Sequence, residues 1–163
     1  MSLPATETIE LYREVIADHA KHPRNFREIS DANHRAEGHN RSCGDRLTVW
    51  VKLSDSVLAD VSFKGSGCSI GTSSASMMCE AMRGRTIEEA RMLFEDFHEM
   101  LTGGDAEPDT DRLGKLVVFA GVKRCPIRVK CATLAWHTFM AALGNAAESV
   151  STEDGSQRSF AAK

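Results

Sequence analysis

Apolar residues occur at two kinds of spacing along the first half of the chain, and each kind predicts an element. Residues 11–16 carry apolar side chains at helical spacing, so they predict an amphipathic helix that Pro23 limits at its far end. Residues 46–53 and 57–64 instead alternate between apolar and polar positions, as half-buried strands do. Only residues 54–56 separate these two runs, which predicts a β-hairpin.

The second half of the chain is predicted to be mainly helical. We expect a helix over residues 70–82, which Gly84 ends, and a further helix that starts at Thr86. Residues 113–122 are apolar enough for a short buried helix or strand. Pro126 suits the first turn of a last helix, because a proline there loses no intrahelical hydrogen bond.

The order of the elements, with strands early and helices late, predicts an α+β domain in which a small antiparallel β-sheet packs against helices. A chain of 163 residues fits one domain and can bury a substantial core without disulfides. We place this domain at residues 1–145. Residues 146–163 contain few large apolar side chains, so we expect a disordered C-terminal tail.

Charge and hydropathy exclude several classes of partner. The formal net charge is -3 and the pI is near 6.1, so the chain as a whole does not attract nucleic acid or an anionic membrane. No apolar run approaches the roughly 20 residues that a membrane span needs, and the first residues lack a secretory signal pattern, so we expect a cytoplasmic protein. Five cysteines, an odd number, then indicate metal or redox chemistry rather than a disulfide framework.

Three cysteines and one aspartate form a candidate site with four metal ligands, Cys43, Asp45, Cys68 and Cys131. Thiolates favour zinc or iron-sulfur units, whereas a carboxylate is a harder ligand that exchanges more readily. The first two ligands flank a glycine, which permits a turn that aims both side chains at one point. Cys68 precedes a predicted helix, whose N-terminal N–H groups should lower the pKa of its thiol. Three thiolates and one carboxylate around a divalent cation leave a net charge of about -2, which Arg128, three residues before Cys131, is placed to offset.

Roles in packing also fit several of these residues. A single cysteine is more often a small buried hydrophobe than a ligand, and the three cysteines do not form a paired-cysteine motif. Cys79 and Cys125 fall at positions that indicate packing, and we leave both out of the site. His39, four residues before Cys43, is a weaker candidate ligand. His137, on the predicted last helix, points about 120° away from the nearest cysteine of the site.

Four motifs in a fixed order nevertheless resemble the U-type iron-sulfur cluster assembly proteins, the superfamily of NifU N-terminal and IscU-like domains. The resemblance spans roughly residues 8–145 and rests on Leu11-Tyr12-Arg13-Glu14-Val15-Ile16-Ala17-Asp18-His19 with Pro23-Arg24-Asn25, on Cys43-Gly44-Asp45, on Gly67-Cys68-Ser69-Ile70 with Ser74-Ala75-Ser76-Met77-Met78, and on Arg128-Val129-Lys130-Cys131-Ala132-Thr133-Leu134-Ala135-Trp136.

Within this family the chain resembles the SufU branch. It has an extra segment at residues 103–115, and it has Lys130 where IscU-type scaffolds carry a histidine. A lysine ammonium has no lone pair to give to a metal. The family usually has Asn-Pro before the residue that precedes its first ligand cysteine, whereas this chain has Asn40-Arg41-Ser42, so we expect a less rigid loop there.

The resemblance implies an α+β fold with about three strands and a zinc-bound sulfur acceptor in iron-sulfur cluster biogenesis. A cysteine desulfurase of the SufS type would supply persulfide sulfur to Cys43, and further iron-sulfur assembly proteins would act downstream. Asp45, Cys68 and Cys131 would be the other zinc ligands, and Arg128 would be a supporting residue in catalysis. Two alternatives remain, namely a scaffold that assembles and transfers a [2Fe-2S] cluster on the same cysteines, and a zinc-stabilised adaptor protein.

Overall fold

The computed structural model describes residues 5–103, 109–144 and 150–151. Within these ranges the chain forms, in order, α1 (Ala5–Lys21), β1 (His34–Asn40), β2 (Asp45–Ser54), β3 (Val57–Ser66), α2 (Ser69–Met82), α3 (Ile87–Thr102), α4 (Thr110–Leu113), a 3-10 helix (Gly114–Arg124), α5 (Pro126–Leu143) and β4 (Val150–Ser151). The predicted α+β fold, with an antiparallel sheet packed against helices, is confirmed.

The sheet has the strand order β3-β2-β1-β4. β1, β2 and β3 are antiparallel neighbours, and the two residues of β4 pair in parallel with Gly38 and His39 of β1. The predicted hairpin joins β2 to β3 through Asp55 and Ser56, whose φ angles are 48° and 68°. Two consecutive positive φ values are typical of a type I′ turn, which matches the twist of paired strands.

The spacing of apolar residues in the sequence does not predict strand β1. Its inward positions are Ala36, Gly38 and Asn40, none of which has a large apolar side chain. A Cβ at Gly38 would overlap the hydroxyl of Thr138 in α5 and would lie 3.1 Å from Leu134 Cδ1. Small residues on β1 therefore let α5 approach the sheet closely, and the same small residues remove the apolar alternation from the sequence.

α5 is the central helix of the core. Every residue from Cys131 to Ala142 is buried, because the helix packs on β1 and β2 and also on α2, α3 and the 3-10 helix. Trp136 is fully buried and stacks on Phe97 of α3, with ring centroids 4.1 Å apart. Its indole Nε1 donates a hydrogen bond to Ser74 Oγ of α2 at 3.0 Å, so three helices meet at this side chain.

The helix boundaries agree with the local signals in the sequence. Gly84 adopts a φ of 85° after α2, and Thr86 forms with Glu89 the capping box that starts α3. Pro126 is the first residue of α5, as predicted. The apolar segment at residues 113–122, for which helix and strand were both open, lies largely in the 3-10 helix.

Two predictions concern residues that the structure describes only in part. Of the extra segment at residues 103–115, residues 104–108 lie outside the described residues. Of the predicted tail at residues 146–163, Val150–Ser151 lies beside β1 and the other residues are outside the described ranges, so the domain boundary stays a prediction. None of the described helices combines the length and apolar character that a bilayer span requires.

Candidate metal centre

Four candidate ligands meet at one end of the sheet. Cys43 lies in the turn between β1 and β2, Asp45 is the first residue of β2, Cys68 directly precedes α2, and Cys131 lies in the second turn of α5. The ligand atoms of Cys43, Asp45 and Cys131 all lie within 4.8 Å of one another. Cys68 Sγ lies 3.7 Å from Asp45 Oδ2. The structure therefore brings all four predicted ligands together.

The turn that carries Cys43 is shaped by its own backbone and by the residue before it. Asn40 and Asp45 form the last residue pair between β1 and β2. Between them, Ser42 N donates to Asn40 Oδ1 at 3.2 Å and Gly44 N donates to the Arg41 carbonyl at 3.4 Å. Gly44 has a φ of 71°, in the left-handed region that glycine adopts without strain. The glycine between the first two ligands thus provides the predicted turn.

Alanine at Gly44 is expected to lower the free energy of unfolding of the metal-free protein by about 1 kcal/mol. The cost comes from the positive φ alone, because a Cβ here would meet no other heavy atom within 4 Å. Urea unfolding measures the change. Gly121→Ala is the matched control, since a Cβ there also meets nothing within 4 Å and its φ is not positive. Equal stability of Gly44→Ala and the parent protein would show that the positive φ carries no such cost.

The Asp45 carboxylate is buried and held in one position. The residue is 3% exposed, and its Oδ1 accepts a hydrogen bond from Cys68 N at 2.8 Å. A Cβ at Gly67 would overlap Asp45 Oδ1, and a Cβ at Gly71 would lie 2.8 Å from Oδ2. Both glycines therefore leave room for the carboxylate. Sequence reasoning assigned neither glycine this role, although their placement on both sides of Cys68 was the available signal.

Cys68 caps the N-terminus of α2. Its Sγ accepts a hydrogen bond from Gly71 N at 3.4 Å. A hydrogen bond with Cys131 is the main cause that lowers the pKa of the Cys68 thiol to about 7, and the backbone N–H groups of Gly71 and Ile70 act in the same direction against the effect of burial. The direction of this shift is the one predicted from the position of Cys68 before a helix.

Cys131 lies on the buried side of the site and is 1% exposed. Its Sγ is 2.8 Å from Cys43 Sγ, which is longer than a disulfide bond of about 2.05 Å. The hydrogen bond with Cys68 and the burial of the side chain both raise the pKa of Cys131. In the metal-free site Cys131 therefore keeps its proton more readily than Cys68 does.

Asn40 contacts the site, and sequence reasoning did not include it among the functional residues. It is fully buried at the end of β1, and its Nδ2 donates towards Cys131 Sγ at 3.9 Å. Its Oδ1 accepts the Ser42 N–H, so one side chain connects the turn of Cys43 to α5. A polar residue three positions before Cys43, just ahead of a turn, was the signal that could have found it.

The donor set fits a zinc ion. Zinc prefers four ligands drawn from thiolate, imidazole and carboxylate groups, and this site offers three sulfurs and one carboxylate. In a tetrahedral site with Zn–S bonds of about 2.3 Å, two ligand sulfurs lie about 3.8 Å apart. Cys43 Sγ and Cys131 Sγ, at 2.8 Å, would need to separate by about 1 Å to meet this spacing. The location of Cys43 on a turn permits that adjustment.

Comparison with known proteins identifies the family. Residues 11–132 match the model of the NifU-like N-terminal domain. The chain belongs to this family. The matched range of this NifU-like domain contains all four candidate ligands.

The domain is similar both to a protein named as a sulfurtransferase and to proteins named as cluster assembly scaffolds. It is 41% identical over 126 residues to the zinc-dependent sulfurtransferase SufU of Bacillus subtilis, covering 77% of this chain and 84% of that protein. It is 38% identical over 137 residues to the iron-sulfur cluster assembly scaffold protein IscU of Streptococcus pyogenes, covering 84% and 85%. A crystal structure from Fervidobacterium islandicum, described as an assembly scaffold protein for the SUF system, matches with a TM-score of 0.75 and 36% identity over 80% of this chain and 94% of that chain.

The other candidate residues of the NifU-like domain lie outside the ligand cluster. Arg128 is exposed on the first turn of α5 and forms no hydrogen bond or ion pair with another described residue, so its role in catalysis stays a prediction. Cys79 is fully buried in the core, which confirms its packing role, and burial raises the pKa of its thiol. Cys125 is half-buried just before α5. His137 packs against Phe94, and burial lowers its pKa to about 4. Among the described residues, the donor group contains no histidine.

Proposed function

We propose that this protein is a zinc-dependent sulfur acceptor in iron-sulfur cluster biogenesis, and that a cysteine desulfurase of the SufS type supplies the sulfur as a persulfide. The observation that carries the proposal is the cluster of three thiols and one buried carboxylate, Cys43, Cys68, Cys131 and Asp45. The similarity to a protein named as a zinc-dependent sulfurtransferase supports the same chemistry. Further iron-sulfur assembly proteins would receive the sulfur from this protein.

Cys43 is the sulfur-accepting thiol in this proposal. It is half-buried on a turn, so a partner can approach it, whereas Cys131 is 1% exposed within α5. Cys68 is also half-buried, but its sulfur accepts a backbone hydrogen bond at the start of α2. A side chain on a turn can move towards a partner without displacing a helix or a strand. Cys43 is therefore the best placed of the three thiols to act as a nucleophile.

The proposed transfer is a thiol exchange. Zinc bound by the four residues would keep the three thiols deprotonated and in place at neutral pH. Cys43 Sγ attacks the terminal sulfur of the donor persulfide, and its electron pair forms the new S–S bond. The S–S bond of the donor breaks, and the donor cysteine leaves as a thiolate. The terminal sulfur thus moves to Cys43 without net oxidation. In this proposal Arg128, which is exposed on α5 three residues before Cys131, stabilises the anionic persulfide.

A scaffold for a [2Fe-2S] cluster is the second candidate function. The similarity to proteins named as IscU scaffolds favours it, and cysteine thiolates are the usual ligands of such clusters. Lys130 stands against it, because its ammonium group has no lone pair for iron. A zinc-stabilised adaptor would use the same four residues without transferring sulfur.

Metal analysis of the protein as isolated, combined with desulfurase turnover, separates these functions. A sulfur acceptor purified without oxygen should be colourless, contain about one zinc per chain and increase the turnover of a SufS-type desulfurase. A brown protein with visible absorption and bound iron would favour the scaffold instead. Zinc without any increase in turnover, and without sulfur on Cys43, would favour the adaptor. Removal of zinc with a chelator should abolish the increase in desulfurase turnover. Adding zinc back should restore that increase.

A further inference from the structure

The segments that carry the candidate ligands differ in charge from the rest of the chain. Two of the segments that form the site, residues 41–46 and 123–131, contain six of the 20 Lys and Arg residues but one of the 23 Asp and Glu residues, the ligand Asp45. The third segment, residues 65–79, has no charged residue. The rest of the chain therefore has 14 basic and 22 acidic residues. We call the cationic set the basic rim, and its members are Arg41, Arg46, Lys123, Arg124, Arg128 and Lys130.

Four members of the basic rim are exposed, and an exposed apolar side chain lies between two of them in the sequence. Arg41, Arg46, Arg124 and Arg128 are exposed. Ile127 is 60% exposed, more than any other large hydrophobic residue that the structure describes. It lies on the first turn of α5, between Arg124 and Arg128 in sequence and four residues before a ligand cysteine. An exposed apolar residue with charged residues near it is typical of a protein-protein interface. The apolar side chain fills a pocket on the partner, and the charged side chains orient the partner.

We propose that the basic rim, with Ile127 as its apolar anchor, is the surface on which an acidic face of the sulfur-donating protein docks. This inference rests on the proposed function and adds to it the surface used and the charge of the partner. The rim lies on the segments that carry Cys43 and Cys131, so a protein docked there would bring its persulfide towards Cys43. The charge of the rim attracts an acidic face and speeds association.

Charge disfavours two other binding partners, a second copy of this chain and a nucleic acid. A second copy of this chain that docked rim to rim would place like charges together, which costs binding energy. A nucleic acid would be attracted by the rim but repelled by the acidic excess on the rest of the chain, whose net charge overall is -3. The partner that fits is therefore a protein with a local acidic patch and an apolar socket.

Charge reversal at two exposed rim residues tests the proposal. The zinc-loaded variant Arg46→Glu/Arg124→Glu should need about tenfold or more desulfurase for half-maximal sulfur transfer to Cys43, with a smaller change in the rate at saturation. Added salt should weaken the transfer to the parent protein but have little effect on the variant. Ile127→Ala should raise the half-maximal concentration about fivefold or more without changing the salt dependence.

The matched control is Arg13→Glu/Lys115→Glu, which changes the net charge equally at two exposed residues outside the basic rim. This control should stay within about twofold of the parent. Zinc content and circular dichroism establish that each variant is folded. Equal half-maximal concentrations for the rim variant and the control would overturn the proposal, and so would tighter binding of labelled duplex DNA than of the desulfurase, or a rim-dependent dimer in solution. Failure of the parent itself to accept sulfur at any desulfurase concentration would overturn the proposed function instead.

Discussion

Alanine at Cys43 is expected to lower the rate of sulfur acceptance by about 100-fold or more, to the background of the assay. The reason is that the proposed transfer needs a thiolate that a partner can reach, and Cys43 is the candidate ligand on the turn between β1 and β2. The measurement follows radiolabelled sulfur from cysteine, through the desulfurase, onto the zinc-loaded chain. Persulfide on the chain is then located by alkylation and mass spectrometry.

The control for this variant is Cys125→Ala. Cys125 is also half-buried but does not belong to the donor group, so its loss should leave the transfer rate within about twofold of the parent. Sulfur acceptance by Cys43→Ala at the parent rate would show that a different thiol is the acceptor. Persulfide found on Cys68 in the parent protein would lead to the same conclusion.

Alanine at Gly67 is expected to weaken zinc binding by about 10- to 100-fold, although no ligand is removed. Its Cβ would overlap Asp45 Oδ1 and would lie 2.8 Å from Asp45 Cγ and 3.2 Å from Asp45 Cα. Rotation of the Asp45 side chain would relieve the overlap only by moving the carboxylate out of its present position, and the contact with Asp45 Cα would remain tight. The hydrogen bond from Cys68 N to Asp45 Oδ1 should be lost as well. Competition with a chromophoric chelator measures the zinc affinity.

Gly121→Ala is the matched control for Gly67→Ala. The same methyl group is added there, but no heavy atom lies within 4 Å of it. This control should bind zinc like the parent. An unchanged zinc affinity for Gly67→Ala would mean that Asp45 is not a required ligand, and it would favour a site made of the three thiols and an external group.

Local signals predicted most of the helices and one hairpin. The capping box of Thr86 and Glu89, the positive φ of Gly84 and the proline that opens α5 each depend on a few neighbouring residues, so they can be recognised without knowing the fold. The hairpin between β2 and β3 was predicted for the same reason. Such features are determined by conformational preferences that act over one or two turns.

β1 and the 3-10 helix required the tertiary structure. The inward positions of β1 are small or polar because α5 packs directly on them, as the overlap of a Gly38 Cβ with Thr138 indicates. No local pattern marks such a strand, since its stability comes from pairing with β2 and from contact with a helix about 100 residues later. The apolar run at residues 113–122 fitted a helix or a strand equally well, and packing against α3 and α5 decided between them.

The sequence by itself determined the candidate ligands, because three of the four family motifs contain a cysteine and one of these three also contains Asp45. Only the tertiary structure decided how these ligands meet. It placed Cys131 Sγ 2.8 Å from Cys43 Sγ across 88 residues, buried Asn40 between the turn and α5, and left Asp45 just enough room between two glycines. The physical reason is that ligand chemistry belongs to single side chains, whereas distances between them follow from the packing of α2 and α5 on the sheet.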